Sequence, residues 1–535
     1  MPVLQAAPST EAPPTAPASS RPLTFPVTLA ALTLGLLGTI AYRVLDAPYW
    51  EFNAQRLLPS LMLARGLTLF PEPRGGVLLS TMYGPVTALT YLPATLAHTP
   101  VAAVLIGSAL TALLSFAAIF LLHFRQTPRR PSLVLLAFLT TAFLVCLIDS
   151  TQYACLRVHA DGPALFYAMI AVTSTSLRTR RPYVGMALSA LFSALAVWAK
   201  QPLVGVALGL GLYYLIAEGP RAFARFSVYA ASVTALMGAA FSLMWGWRSI
   251  AINLLDIPSH HPWKHPSKLV ELFYSYRTFA RDDLALILPI AAYILFHATT
   301  RRPSLAALRA AVRGQLWIAS LLVGLCLIPL SLISYSKVGG DTNNLSFCTL
   351  FLLLALTLLL QKLATEPDPH FARFVKSLLL VAAIACATIE APLAAAIPGR
   401  LRGLANTDQN VAFNYIRQHP GQGYFPWFPT AQLLADDNIY NGVYGLWNHA
   451  AGGYPPTDAA FRAHVPANAH FVAFAPGGSP WVNNTNFLWH LPEYTCATTD
   501  PALPGFKLYY SRPAAHSLNL PCILNPPPDP DLPVN

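Results

Sequence analysis

The stretch STMYGPVTALTYLPATLAHTP, Ser80 to Pro100, decides the topology of this chain. It is apolar enough to suggest a short membrane span, yet it carries Pro85 and Pro93. A proline removes a backbone donor and breaks a helix interior. The apolar part, about 15 residues, also falls short of the roughly 20 that cross a hydrocarbon core.

Working outward, 55% of the 535 residues are hydrophobic and 11% are charged, against about 25% charged in soluble domains. Apolar runs recur at 25–45, 101–124, 132–149, 161–177, 184–199, 202–217, 226–247, 284–299, 315–335, 345–362 and 375–397. This is the pattern of a polytopic membrane protein. The formal charge of +11 does not point to nucleic acid, because the basic residues cluster in short loops between runs. Those clusters are Arg125/Arg129/Arg130, Arg178/Arg180/Arg181 and Arg301/Arg302/Arg309/Arg313. Cytoplasmic loops carry such an excess of Lys and Arg. If 83–97 crosses the bilayer, these loops fall outside; if it does not, they fall inside. The expected fold is therefore a polytopic α-helical protein with eleven spans and its N-terminus inside. The stretch 83–97 is then a juxtamembrane helix on the outer face.

Four regions follow. Residues 1–24, rich in Pro, Ala, Ser and Thr, read as a disordered cytoplasmic tail. No signal peptide precedes the run 25–45, which reads as a retained signal-anchor helix. Residues 25–397 form the transmembrane domain, with a long first outer loop at 46–99. Residues 398–515 have short apolar runs and frequent Pro, Gly and Asn, and read as a small extracytoplasmic α/β domain. DQNVAFNYIRQHP is its helix, and GYFPWF, HFVAFA and KLYYSR are its strands; a Pro-rich tail closes the chain at 516–535. Cys496 and Cys522 fall in this region and would pair in an oxidising compartment, whereas the other five cysteines lie in or beside apolar runs.

Ionisable groups at a membrane boundary are costly to place and so mark candidate sites. Asp46 and Glu51 follow the first span, where a carboxylate serves either as a general base or as a solvated loop acid. Asp161 opens an apolar run behind Arg157 and His159, the position of a helix-capping acid or of a cavity acid. Lys200 and Gln201 interrupt two runs; an ammonium there snorkels to lipid or binds a phosphate. SKVGGDTNN, with Lys337 and Asn344, is a donor-rich turn, and Tyr83 begins the deciding stretch. His260, His261 and His265 lack an acid at ligand spacing, so no metal site is assigned.

The order of these elements resembles the GT-C superfamily of polytopic glycosyltransferases. EFNAQRLLPSLMLARGLTLFP resembles its acidic first loop, and MYGPVTALTY its juxtamembrane helix. HADGPALF is similar to its Asp-led span, WAKQPLVG to its Lys element and SKVGGDTNNLSF to its glycine-rich turn. The resemblance implies hexosyl transfer from a polyprenyl-phosphate sugar to a glycan, lipid or protein acceptor on the outer face of a bacterial inner membrane. It implies Glu51 or Asp46 as the base and Asp161 as a second cavity acid. Lys200 would hold the lipid phosphate, with Gln201, Tyr83, His159, Lys337 and Asn344 completing the substrate-binding set. Relatives usually carry Asp in the first loop and an acid before the juxtamembrane helix, where this chain has Glu51 and Met82. The base thus stays open between Asp46 and Glu51. No cofactor is implied, and a divalent metal stays an alternative. The other readings are a flippase for a lipid-linked glycan and a non-catalytic subunit on the same fold.

Overall fold

A computed structural model describes residues 24–79, 81–179, 182–301, 304–475, 484–520 and 522–524. The tail expected at 1–24, Thr24 apart, and the Pro-rich run 525–535 lie outside the described residues. The chain opens with α1 (Thr24–Asp46), then α2 (Glu51–Ala64), α3 (Pro85–Thr90) and α4 (Pro100–Gln126). α5 (Pro131–Leu147) turns by 100° into α6 (Asp149–Leu156). α7 (Asp161–Ser174), α8 (Pro182–Ala199), α9 (Val204–Glu218) and α10 (Pro220–Trp245) follow. Short α11 (Trp247–Ala251) and α12 (Ile257–His260) lead to the long α13 (Lys268–Arg301) and to α14 (Leu305–Val312). α15 (Leu316–Tyr335), α16 (Ser346–Leu363) and α17 (Pro369–Gly403) complete the bundle.

Every apolar run of the sequence lies in a helix, and the chain is an integral membrane protein. Among the described residues, however, eight helices are long and apolar enough to cross alone, or nine if the bent pair α5–α6 counts as one span. The expected eleven is therefore not what length and hydropathy yield. The difference lies in α7, with 14 residues, and in the short apolar helix Tyr183–Ala199. α16 is the central element: 78% of its apolar window is buried, against 11% for α13, whose flank is left for lipid.

The deciding stretch is no span. α3 has six residues and yields to a 3-10 turn at Leu92–Leu96, with Pro85 and Pro93 each in a first turn, where a missing N–H costs nothing. Nor does it lie on the surface as expected. Pro85, Val86, Thr87 and Ala88 are buried and Tyr91 is fully so, wedged among α2, α7 and α8. Gly84 permits this, since a Cβ there would fall 1.7 Å from the Trp198 carbonyl oxygen. In place of a side chain, the Gly84 N–H donates to Ala199 O at 3.1 Å.

With the stretch folded in, the loops on both sides of it share one face. Gln201 donates to Met82 O, Thr342 to Asp149, and Trp263 pairs with Lys337 across a single bridge. The C-terminal domain packs on the same face: Gln55 donates to Trp427 O at 2.6 Å, and Leu78 N–H to Asn441 Oδ1 at 2.8 Å. That domain begins with α18 (Asp408–Gln418), the helix read from the sequence. Its strands are β1 (Gly423–Tyr424), β2 (Phe471–Phe474), β3 (Tyr494–Thr498), β4 (Lys507–Ser511) and β5 (Ile523–Leu524). They form one mixed sheet in the order β1-β2-β4-β3-β5, parallel only between β1 and β2. Phe413, Ile416, Phe425, Phe471 and Phe506 lie in the core beneath it. β1 stops after two residues of GYFPWF, and the sheet runs on to Leu524, past the boundary expected at 515. Cys496 and Cys522 are joined in a disulfide that ties β3 to the segment entering β5.

Candidate active site

Four loops deliver the site. Asp161 heads α7 and is wholly buried. A buried carboxylate needs compensating partners, and it has three: an ion pair with Lys200, His159 Nδ1 at 2.6 Å, and the Asn343 side-chain amide at 2.7 Å. Lys200 comes from the α8 end and is 5% exposed. Its ammonium also donates to Asn344 Oδ1 at 3.3 Å, and it stands over the rings of Phe347 at 4.7 Å and Tyr83 at 5.4 Å. The Tyr83 hydroxyl lies 3.0 Å from His159 Nε2. The contacts order the groups as Tyr83–His159–Asp161–Lys200, and the shorter Nδ1–carboxylate contact (the Asp161 backbone N–H lies 3.3 Å from the same nitrogen) favours Nε2 as the acceptor from Tyr83. Burial, then the charge of Arg56, hold the His159 pKa down to about 3.

Along one wall of this network run Trp50 and Tyr153, whose rings meet edge to face at 5.0 Å. Tyr153 in turn stands 5.8 Å from the His159 ring. Glu51 follows Trp50 at the start of α2. Its carboxylate has no hydrogen-bond or ion-pair partner among the described side chains. Burial raises its pKa above the ordinary carboxylate value; Asp408 adds to the rise, while its own backbone N–H and Arg56 oppose it. A half-buried carboxylate with unspent acceptor capacity is what a general base requires.

The other expected residues divide. Asn344, Tyr83, His159, Asp161 and Lys200 are brought together. Asp46 is not free: Arg400 holds it at 2.9 Å. Gln201 donates to Met82 O at 3.0 Å and Leu254 O at 2.7 Å, so it clamps the loop rather than joining the cluster. Lys337 is likewise spent on the carbonyls of Pro258 and Ser259. The histidines of the 248–283 loop do local work: His261 packs on Trp447 and His260 bonds Asp256. Among the described residues no three His, Cys, Asp or Glu side chains gather as a metal site would need. Asn343, Arg56, Trp50 and Tyr153 were missed by sequence reasoning. Asn343 stood beside Asn344 in the polar run, and Arg56 was the lone base on an otherwise amphipathic helix.

No protein-family model matches the chain, and no curated protein is similar to it in sequence. Solved structures are similar in fold. The structure of ArnT from Cupriavidus metallidurans bound to undecaprenyl phosphate matches over 91% of this chain and 98% of that one, at 13% identity and a TM-score of 0.51. The apo oligosaccharyltransferase of Archaeoglobus fulgidus matches over 92% of this chain and 75% of that one, at 12% identity and a TM-score of 0.46. At 13% identity the ArnT match speaks to fold and not to reaction.

Proposed function

We propose that this chain is a glycosyltransferase that moves a sugar from a polyprenyl-phosphate donor to an acceptor hydroxyl on the extracytoplasmic side of the membrane. One observation carries the reading. A carboxylate with no bonded side-chain partner among the described residues, Glu51, shares a face with a buried Asp161–Lys200 pair tied into a Tyr–His relay. The fold of ArnT, a protein solved with undecaprenyl phosphate, supports the donor class.

In this reading Glu51 takes the proton of the acceptor hydroxyl as its oxygen bonds the anomeric carbon. The bond from that carbon to the phosphate oxygen breaks, and the lipid phosphate leaves with the electron pair. Lys200 uses two of its three N–H donors on Asp161 and Asn344, and the third meets the departing phosphate. Asp161, saturated by its partners, is a positioning residue: it fixes the ammonium and the imidazole. The extracytoplasmic side is supported by the Arg-rich loops between the apolar runs and by the disulfide in the packed domain, since disulfides persist in oxidising compartments. The test incubates purified protein with radiolabelled polyprenyl-phosphate sugars and lipid, glycan and peptide acceptors. Transfer lost in Glu51→Gln upholds the reading. Wild-type protein that transfers to none of them, or Glu51→Gln at full activity, overturns it.

A further inference from the structure

Beside Glu51 stands a pair of like charges that no carboxylate among the described residues bonds, although Asp161 acts on Arg56, and Asp46 and Asp149 on Arg157, through space. Arg157 lies 4.4 Å from the Trp50 ring centroid and 5.3 Å from that of Tyr153. Arg56 faces the same two rings at 5.4 and 5.5 Å, with Phe52 at 5.3 Å. Neither guanidinium has an ion-pair partner among the described residues. Arg56 donates to Val158 O at 3.5 Å and bonds the Tyr153 hydroxyl. The acids nearby are engaged elsewhere: Asp46 with Arg400, Asp149 with Thr342, and Asp161 with Lys200, His159 and Asn343. Glu51 acts on Arg56 electrostatically but bonds neither guanidinium.

Two cations drawn out of water beside one another are costly unless an anion joins them. Aromatic faces offset part of the cost and keep the guanidinium forks flat and oriented. Guanidinium forks match the oxygens of phosphate two at a time. Here they arrive from separate elements, α2 and the turn before α7, which suits a tetrahedral group better than a planar carboxylate.

We propose that Arg56 and Arg157 form an anion subsite for the acceptor, which therefore carries a phosphate group close to the hydroxyl that receives the sugar. This rests on the glycosyl-transfer reading. The cage is walled by Trp50 and Phe52, the two residues flanking the base Glu51. The unspent donor of Lys200 lies at the far end of the Tyr83–His159–Asp161 relay, on the side assigned to the donor phosphate.

Binding is tested first, without any donor. Phosphatidic acid in mixed micelles raises the melting temperature of the wild type, while diacylglycerol does not. Arg56→Gln and Arg157→Gln lose that response but melt no lower than wild type when lipid is absent, because each removes one of two repelling charges. Arg157→Lys, which keeps the charge without the fork, retains an intermediate response and guards against misfolding of the Gln variants. In transfer assays either Gln variant raises the KM for a phosphorylated acceptor about 10- to 100-fold, the loss of a charge-assisted hydrogen bond, and leaves the donor KM unchanged. Wild-type transfer that is indifferent to acceptor charge overturns the inference and leaves the glycosyl-transfer reading standing, as does a rise in donor KM alone. A phosphatidic acid response with no transfer to any acceptor overturns that reading, and the acceptor assignment with it.

Discussion

The bundle holds a buried polar cluster at each end, and the two are built differently. At the arginine-rich end, His123 lies 2.7 Å from Gln361 Oε1 and 2.8 Å from Thr141 Oγ1. Gln361 donates back to His123 O at 2.9 Å and to Thr127 at 2.6 Å. The partners are amides, hydroxyls and a carbonyl, drawn from α4, α5, α16 and the residue after α4. The cluster is closed on itself and serves as a fastener between three helices. At the domain-bearing end, Asp161, Lys200 and His159 are just as buried, but Asp161 and Lys200 form an ion pair. Their network also runs to an edge where Glu51, Arg56 and Arg157 have no bonded counter-ion among the described residues. A closed network holds helices together; one left open along an edge has donors and acceptors to lend to a substrate.

The sharpest way to break this comparison is Glu51→Gln. If the open edge carries the chemistry, kcat falls about 10²- to 10⁴-fold, the usual contribution of a general base, and the melting temperature in detergent stays unchanged. The pH profile of the wild type refines the same point. A base must lose its proton, and burial raises the Glu51 pKa, so kcat/KM climbs with pH through a value above the ordinary carboxylate range. Burial holds the His159 pKa down, so it adds no limb near 6 or 7.

Next in size is Asp161→Asn. It leaves the Lys200 ammonium buried without its anion, and breaking such a pair costs about 3–5 kcal/mol. Both activity and thermal stability fall, unlike the effect at Glu51. Smaller still is Gln361→Leu at the closed cluster, which strands His123 and Thr127 at about 1–3 kcal/mol. Stability falls while turnover per folded molecule is kept; a loss of turnover matching that of Glu51→Gln would erase the distinction between the two ends. The smallest effect is expected at Asp46→Asn, because its pair with Arg400 is partly solvated. Exposed pairs contribute up to about 1 kcal/mol. Activity that collapses there moves the base from Glu51 to Asp46.

What the sequence revealed depended on whether a residue's partners could be guessed. Asp161, Lys200 and Asn344 stood out because charge and amide groups at the ends of apolar runs are conspicuous, and the structure gathers them. Asp46, Gln201 and Lys337 stood out equally, yet their partners are Arg400 and the carbonyls of Met82, Leu254, Pro258 and Ser259. No spacing rule links those to them. Arg56 went unread, and Arg157 was noted only as preceding Asp161, for the opposite reason: their neighbours are aromatic rings, and aromatic residues at helix boundaries carry no distinct signal. The apolar runs all became helices, but short runs such as that of α7 do not by themselves say whether they cross. β5, with two residues, is too short to carry a pattern, and β3 lies in YTCATT, a polar run without the apolar alternation of the other strands.

The contacts between the first loop and the last domain also set an order of assembly. Leu78 N–H finds its acceptor on Asn441, Gln55 on Trp427, and Thr430 donates to Ala54 O. Each joins residues more than 360 positions apart. A ribosome makes the loop bearing Glu51 long before the residues that cover it, and the chain must pass through the whole bundle in between. The loop waits with its backbone groups in water until the C-terminal domain arrives. A chain cut short before β1 would carry Glu51, Asp161 and Lys200, yet lack the cover that orients the first loop above them.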